Sequence, residues 1–403
     1  MEELPGEDPD DERSFMANKR IIAILCAGIM AASMPGVAAF AQDTSGDTCV
    51  SYLTGQQVPT SVGRKRPVAL MIENDSDAVQ VQYGTGDAAV MYEAMVEGDI
   101  TRMMGIWEDY QNTPKIRPVR SCRPYYVFFA REFNAYYGHF GQVIYAVPIL
   151  QLPTTNDIAG IPYGEDGQDY TLHDGSAAYE REEDNVTGIF TTYDKIQAAV
   201  KDAGWTTDYS DGYKGHYNFA ADGEEVNLDN GQIAKVVLPG FVYNHARFDY
   251  SDSDKLYYRS EFGSAQVDHN NGAQLAYKNI IIQECNSQLF DANSGHTYRW
   301  TDPVNNGKAG NGWYITDGRA EKITWQKENW SADDPVETTV SSADLSFDVR
   351  ECDFNVTRYY DASGNEIKLN QGKTFVEVVR TDDVSKIVIS DDPNIDSSVI
   401  DGL

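Results

Sequence analysis

Between Asn74 and Gly141 the sequence gathers ionic side chains inside apolar surroundings: Glu93, Glu97, Arg102, Arg120, Arg123 and His139. Arg120 and Arg123 flank Ser121 just ahead of an apolar, helix-like run, PYYVFFAREF. Arginines at a helix start suit an anion, because free backbone N–H groups, the positive end of the dipole and planar guanidinium donors all face one ligand. Arg102, Arg120, Ser121 and Arg123 are therefore the candidate ligand-binding residues. Glu93 and Glu97 either balance these arginines, or one of them acts as a general acid or base with His139 as helper. The architectural alternative is an internal salt-bridge network that fixes the fold.

Placing these residues requires a set of short elements. PVALMIEN, after Arg66, has a buried-strand pattern. DAAVMYEAMVEG reads as a helix, with Glu93 and Glu97 four residues apart on one face. TRMMGIWED is the next strand, and PYYVFFAREF the next helix, with Ser121 as its expected N-cap and Pro124 in its first turn. AYYGHFG returns as a strand carrying His139. Residues 153–188 lack periodicity and form a loop region of a length that tends to be functional. TTYDKIQAAVKDAGW is a helix closed by Gly204. The polar stretch 208–232 is the expected boundary between residues 64–225 and residues 226–390. Beyond it KVVLPGFVYN, KLYYRSE, KNIIIQEC, GWYITDGRAEKITW, TRYYDASGNEIKL and TFVEVVR are strand-like, with DASGN as a hairpin turn. Residues 42–63 read as a linker, and 391–403 as a loose acidic tail.

Composition narrows the function classes. With 63 acidic against 32 basic residues the formal charge is −31. Such a field repels nucleic acid and anionic polymers at long range, although a local basic pocket can still hold an anion. The 25 tyrosines among 403 residues suit faces that bind another protein. HExxH, GxSxG, SxxK and CxxC motifs are missing from the sequence. Gln371-Gly372-Lys373-Thr374 imitates the end of a phosphate loop, but Ile367 stands where its first glycine belongs. DYSDSDK has oxygen ligands without the glycine of a calcium loop and reads as a solvated hairpin tip. The six histidines do not sit at metal-ligand spacing, so neither a metal nor a cofactor is expected.

Met16–Ala41 has the three parts of a secretory signal: Lys19 and Arg20, an apolar run from Ile21 to Ala32, and the small-residue site Ala39-Phe40-Ala41. The acidic residues 1–15 have the wrong charge to precede it and read as an upstream extension. The alternative is an uncleaved anchor with a cytoplasmic tail, and membrane contact is expected only through that segment. Cys26 follows Leu25 inside the apolar run, and Asp47 and Thr48 precede Cys49, so neither cysteine lies in a lipobox. Cys49, Cys122, Cys285 and Cys352 remain after cleavage, an even count that permits disulfides in an exported chain. Cys285–Cys352 is the favoured pair, since both end strand-like runs; Cys49 and Cys122 then pair or stay free.

Several of these stretches together resemble one family. RPVALMIEN, VMYEAMVEGDITRMMGIW, PKIRPVRSCRPYYV and YYGHFG, followed in order by LYYRSE, VDHNNGAQLAYKNIIIQ, GNGWYITDGRAEKITW and SGNEIKLNQGKTFVEVV, are similar to the YerB-like lipoproteins of bacteria. The resemblance covers most of residues 64–382. It implies an α+β fold, with layered sheets and helices first and a β-rich part second, in an exported cell-envelope protein. It implies no activity. It matches Asn74, Glu93, Glu97, Thr101, Arg102, Arg120, Ser121, Arg123, His139, Arg259, Asp268 and Asn279. Three departures stand out: Arg117 replaces a glycine, the segment Asn185–Tyr193 replaces one that carries a histidine, and the lipobox is lacking.

The expected function is that of an exported, extracellular or cell-surface module that binds an anionic envelope ligand or a protein partner. The alternatives are an envelope hydrolase or transferase built on Glu93 or Glu97 with His139, and an assembly protein with tyrosine-rich faces. Cleavage after Ala41 predicts Gln42 as the first residue of the exported protein. N-terminal sequencing checks this, and a chain that begins at Met1 would contradict it.

Overall fold

Apolar runs too short for helices and buried on both faces become strands. The computed structural model describes residues 46–164, 167–291 and 298–403; the signal segment and the acidic extension lie outside them. The first half supplies β1 (Val68–Glu73), β2 (Val90–Met95), β3 (Thr101–Trp107), α1 (Pro124–Glu132), β4 (Tyr136–His139), β5 (Asp157–Ala159) and α2 (Tyr193–Asp202). The second half supplies β6 (Val236–Leu238), β7 (Arg247–Ser251), β8 (Leu256–Glu261), β9 (Asn279–Cys285), β10 (Gly310–Thr316), β11 (Arg319–Lys327), β12 (Thr374–Arg380) and β13 (Val388–Ser390), with shorter pieces between them.

The large sheet runs β11-β10-β9-β12-β2-β3-β1-β4-β5, extended by Gln232–Ile233 and Thr357–Tyr360 on β11. β12 lies between β9 and β2 and is parallel to both. The two regions expected on either side of residue 225 therefore share one sheet. A smaller sheet contains β8-β7-β6-β13. Alternation along each strand sorts the core. Met71, Tyr92, Met104, Tyr137 and Val376 belong to one apolar cluster with Tyr125, Phe128 and Phe129 of α1. Leu70, Met91, Met103, Ile280 and Phe375 belong to another with Val237, Phe248 and Tyr257 of the small sheet. The result is three layers: helix, large sheet, small sheet.

Several expectations are corrected. DAAVMYEAMVEG is not a helix: Val90–Met95 is strand β2, fully buried, and Glu97–Asp99 forms the turn into β3. Gly98, at φ +67°, makes that turn, so Glu93 and Glu97 share no face. Helix α1 does begin at Pro124, but its cap is Arg123 without a side-chain bond. The Ser121 hydroxyl instead accepts from Arg102 and Arg123, at 3.0 Å each. Helix α2 forms as expected, burying Ile196 and Val200, with Gly204 at φ +69° just past its end.

The linker is not loose. Thr48–Val50 pairs with Gln57–Pro59, Leu53 is fully buried, and Ser51 donates to Glu108 at 2.6 Å. The acidic tail is also fastened: β13 pairs with β6, and Ile400 is buried with Val236 and Leu238. Twelve of the 25 tyrosines are buried rather than spread over a docking face, Tyr92, Tyr126, Tyr137, Tyr257 and Tyr314 among them.

The favoured disulfide is not formed, and all four cysteines are free. Cys285 ends β9 beside the Gln283 amide at 3.6 Å, whereas the Cys352 thiol points to the Ser331 carbonyl at 3.4 Å. Burial pushes the Cys122 thiol up to about 12 and that of Cys352 up to about 11. Cys49 alone among the four is half-buried. A thiol reagent should label Cys49 first in the folded exported chain and the other three only on unfolding, with melting unchanged by reductant. An intact mass short by two hydrogens would contradict this.

Candidate functional site

The period of two divides the expected constellation between opposite faces of the large sheet. Glu73 and Arg102 are register partners on β1 and β3 and face the α1 layer with Met71 and Met104. Glu93 and Thr101 face the small sheet with Met91 and Met103.

On the α1 face Arg102, Arg120, Ser121 and Arg123 converge as expected. Glu97 holds Arg123 bidentately, at 2.7 and 2.9 Å to Nε and 2.5 Å to Nη2. Burial works against both charges, yet the pair keeps Glu97 below the usual carboxylate range and raises Arg123. Arg120 is matched less well. Its Nε lies 2.7 Å from Glu73 Oε1, but the two are not aligned as a hydrogen bond, and Glu73 Oε2 has no partner. Burial lifts the Glu73 carboxyl to about 7, against the pull of Arg120 and Arg102 and with the push of Asp75.

Among the described residues Arg102 has no acid of its own. Its Nη1 donates to the Ser121 carbonyl and hydroxyl at 3.0 Å, and its Nε is buried without a partner. Burial first, then Arg123 and Arg120, bring this guanidinium down to about 10. Three arginines thus meet two carboxylates, and one carboxylate is held only loosely. Arg120 and Ser121 are half-buried, so the crevice reaches solvent.

On the other face Glu93 belongs to a sealed cluster that joins the two halves of the chain. Arg259 of β8 bonds Glu93 and lies 3.1 Å from Glu261. The amides of Asn74 and Asn244 each reach both carboxyls: 2.9 and 2.9 Å for Asn74, 2.8 and 2.9 Å for Asn244, to Glu93 and Glu261 in turn. Glu377 of β12 stands in register with Glu93, and both of its oxygens are buried without a partner. One arginine cannot neutralise three carboxylates. Burial raises Glu261 to about 7 and Glu377 well above its ordinary value, with Glu93 adding to both.

The remaining expected residues are structural. His139 is fully buried, with Nε2 at 2.7 Å from Asp157 and Nδ1 at 2.8 Å from the Gly141 carbonyl. Both nitrogens face acceptors, so no lone pair is offered to a substrate. Glu93, Glu97 and His139 do not form one catalytic group. Asp268 accepts from the N–H groups of Gly84 and Gly86 at 2.9 and 2.8 Å, and a Cβ on Gly86 would meet it at 3.0 Å. Asn279 donates to the Asn370 carbonyl at 2.8 Å and accepts from Tyr314 at 2.9 Å. Arg117 is buried, held by Glu182 at 2.6 Å, Glu183 at 3.2 Å and the Thr187 carbonyl at 2.8 Å.

Sequence reasoning missed Glu73, Glu261 and Glu377, and a third buried group in which Glu132 bonds Lys327 at 2.5 Å and His216 at 2.6 Å. The available signal was a lone acid inside an apolar run: VALMIE, TFVEVVR, PYYVFFARE. Among the described residues no group of three or more His, Cys, Asp or Glu is arranged to hold a metal ion.

The carboxyl-rich cluster fixes the sign of a pH effect. A carboxyl that holds its proton more tightly folded than unfolded stabilises the fold most below about pH 4.5, and that contribution fades as pH rises. Glu377→Gln keeps the shape and removes the titration. Between pH 5 and 7 the stability of the variant should fall less steeply with pH than that of the parent. Denaturant melts at both values check this, and parallel pH curves for the two proteins would contradict it.

Residues 53–206 match the family model described as "Protein of unknown function (DUF3048) N-terminal domain", and residues 237–341 match its C-terminal domain. The chain is 26% identical over 243 residues to the protein named "Putative lipoprotein YerB" from Bacillus subtilis (strain 168), covering 59% of this chain and 68% of that one. The crystal structure of the YerB protein from Bacillus subtilis superposes with a TM-score of 0.62 at 20% identity, over 85% of this chain and 99% of the other. That likeness bears out the expected α+β fold. The chain belongs to the DUF3048 family, whose N-terminal and C-terminal domains it carries together.

Proposed function

We propose that this protein is an exported envelope module that binds an acidic group, a carboxylate, sulfate or phosphate, in the crevice of Arg102, Arg120 and Ser121. One observation carries the reading: among the described residues, buried Arg102 has no acid of its own and its Nε has no partner. An unmatched buried charge is costly, and an incoming anion completes the group. Arg123 positions the crevice through Glu97 and Ser121. Glu73 competes with the ligand for Arg120. Export rests on the signal-like segment and on the name of the Bacillus relative. Among the described residues no helix is long and apolar enough to cross a membrane.

Sulfate tests the reading, because it does not titrate near neutrality. At matched ionic strength it should raise the melting temperature of the Gln42–Leu403 protein by about 2 °C or more. The shift should be larger at pH 6 than at pH 8, since protonation of Glu73 releases Arg120. Arg120→Gln and Arg102→Gln should abolish it, and Glu73→Gln should make it independent of pH. An equal shift in the parent, Arg102→Gln and Arg120→Gln proteins would refute the proposal.

A further inference from the structure

At the opposite end of α1 from that crevice, an open cleft of about 660 Å³ lies between the end of α1 and the β-rich part, lined by Arg66, Arg131, Asn134, Asn156, Tyr213 and Arg358 among others. Ser210, Gly212 and Tyr213 also line a second recess of about 590 Å³, so the loop 208–215 borders both. Either volume suits a small organic ligand.

The lining says which chemistry would fit. It is polar, with four asparagines (Asn134, Asn156, Asn329, Asn355) and the hydroxyls of Thr154 and Ser210. Side-chain amides offer paired donors and acceptors that match hydroxyl-rich ligands. The largest apolar group, Phe354, is already covered by Phe128 at 4.8 Å on one side and the Arg131 guanidinium at 3.5 Å on the other. The cleft therefore offers neither a lipid-like surface nor an apolar anchor pocket of the kind peptides use.

The cations are the second feature. Among the described residues Arg66 bonds neutral oxygens, those of Asn134, Asn156 and Thr206, and lies over the Tyr136 ring, with no acid against it. Arg131 is nine-tenths buried, spends Nη2 on Glu351, and leaves Nη1 without a partner. Lys214, exposed at the rim, has no ion pair among the described residues. Three carboxylates also line the cleft, but Glu132, Glu328 and Glu351 are spent on Lys327, Arg358 and Arg131, so among the described residues Arg66 and Lys214 are left to meet an acid on the ligand. The net charge of −31 disfavours a densely charged polymer.

We infer that this cleft is a second binding site, for a short saccharide that carries a single carboxylate. Its hydroxyls meet the asparagines, and its acid meets Arg66 and Lys214. Calorimetric titration of the Gln42–Leu403 protein tests this with three trisaccharides ending in sialic, glucuronic or muramic acid, their neutral cores, and acetate alone. At least one acidic trisaccharide should bind about tenfold more tightly than its neutral core, and acetate should give no measurable heat. Arg66→Gln should weaken that binding about tenfold, and Lys214→Glu about threefold. Arg102→Gln should leave it unchanged, which separates this site from the crevice. Lys214 has no ion pair among the described residues, so its variant keeps the test decisive if Arg66→Gln does not fold. The inference is overturned if no acidic trisaccharide binds, if the neutral cores bind equally, or if Lys214→Glu binds like the parent.

Discussion

The structure depends on one buried charge. Arg259 lies in the apolar space between the large and small sheets, 5.0 Å from the ring of Phe375 and 5.7 Å from that of Phe248. A guanidinium there is tolerable only with a carboxylate against it, and Glu93 of the first half supplies that carboxylate. Arg259 also keeps Glu261 of its own strand at 3.1 Å, so parting the halves strands Glu93, which loses its arginine, while Arg259 retains one carboxylate. The amides of Asn74 and Asn244, one from each half, close the cluster from above.

How much of this was legible in the sequence follows from distance along the chain. The strands around Leu70 and Met104 and the helix at Pro124 were readable because their patterns are local. The convergence of Arg102, Ser121 and Arg123 was readable because all three lie within one supersecondary unit. β2 was misread because Tyr92 and Ala94 serve one core while Met91 and Met95 serve the other, and a run buried on both faces carries no period. The partner of Glu93 was out of reach: Arg259 is 166 residues away, and nothing near Glu93 announces it. Composition alone makes tail and linker look loose, because it does not register a single buried Leu53 or Ile400.

Two of the departures from the family pattern prove to be one. Arg117 stands where the resemblance has glycine, and the segment after Asn185 is replaced. The Arg117 side chain donates to the Thr187 carbonyl inside that segment and is matched by Glu182 and Glu183 just before it. The buried cation is thus neutralised by acids beside the segment it holds, and the two positions form one local packing unit. The arginine crevice is built from different residues and does not involve this unit.

β12 is among the last strands in the chain, yet it is the seam of the large sheet. While the chain emerges from its N-terminus, β2 and β9 each present an open edge, and neither finds its neighbour until Thr374–Arg380 arrives. Open edges of buried, apolar strands are templates for wrong pairing, and closing so long a loop is slow. Any shortening of the chain before residue 380 therefore does more than remove a terminus. It unfastens the sheet between the halves, takes Glu377 out of the sealed cluster, and leaves the strand beside Arg102 on an exposed edge.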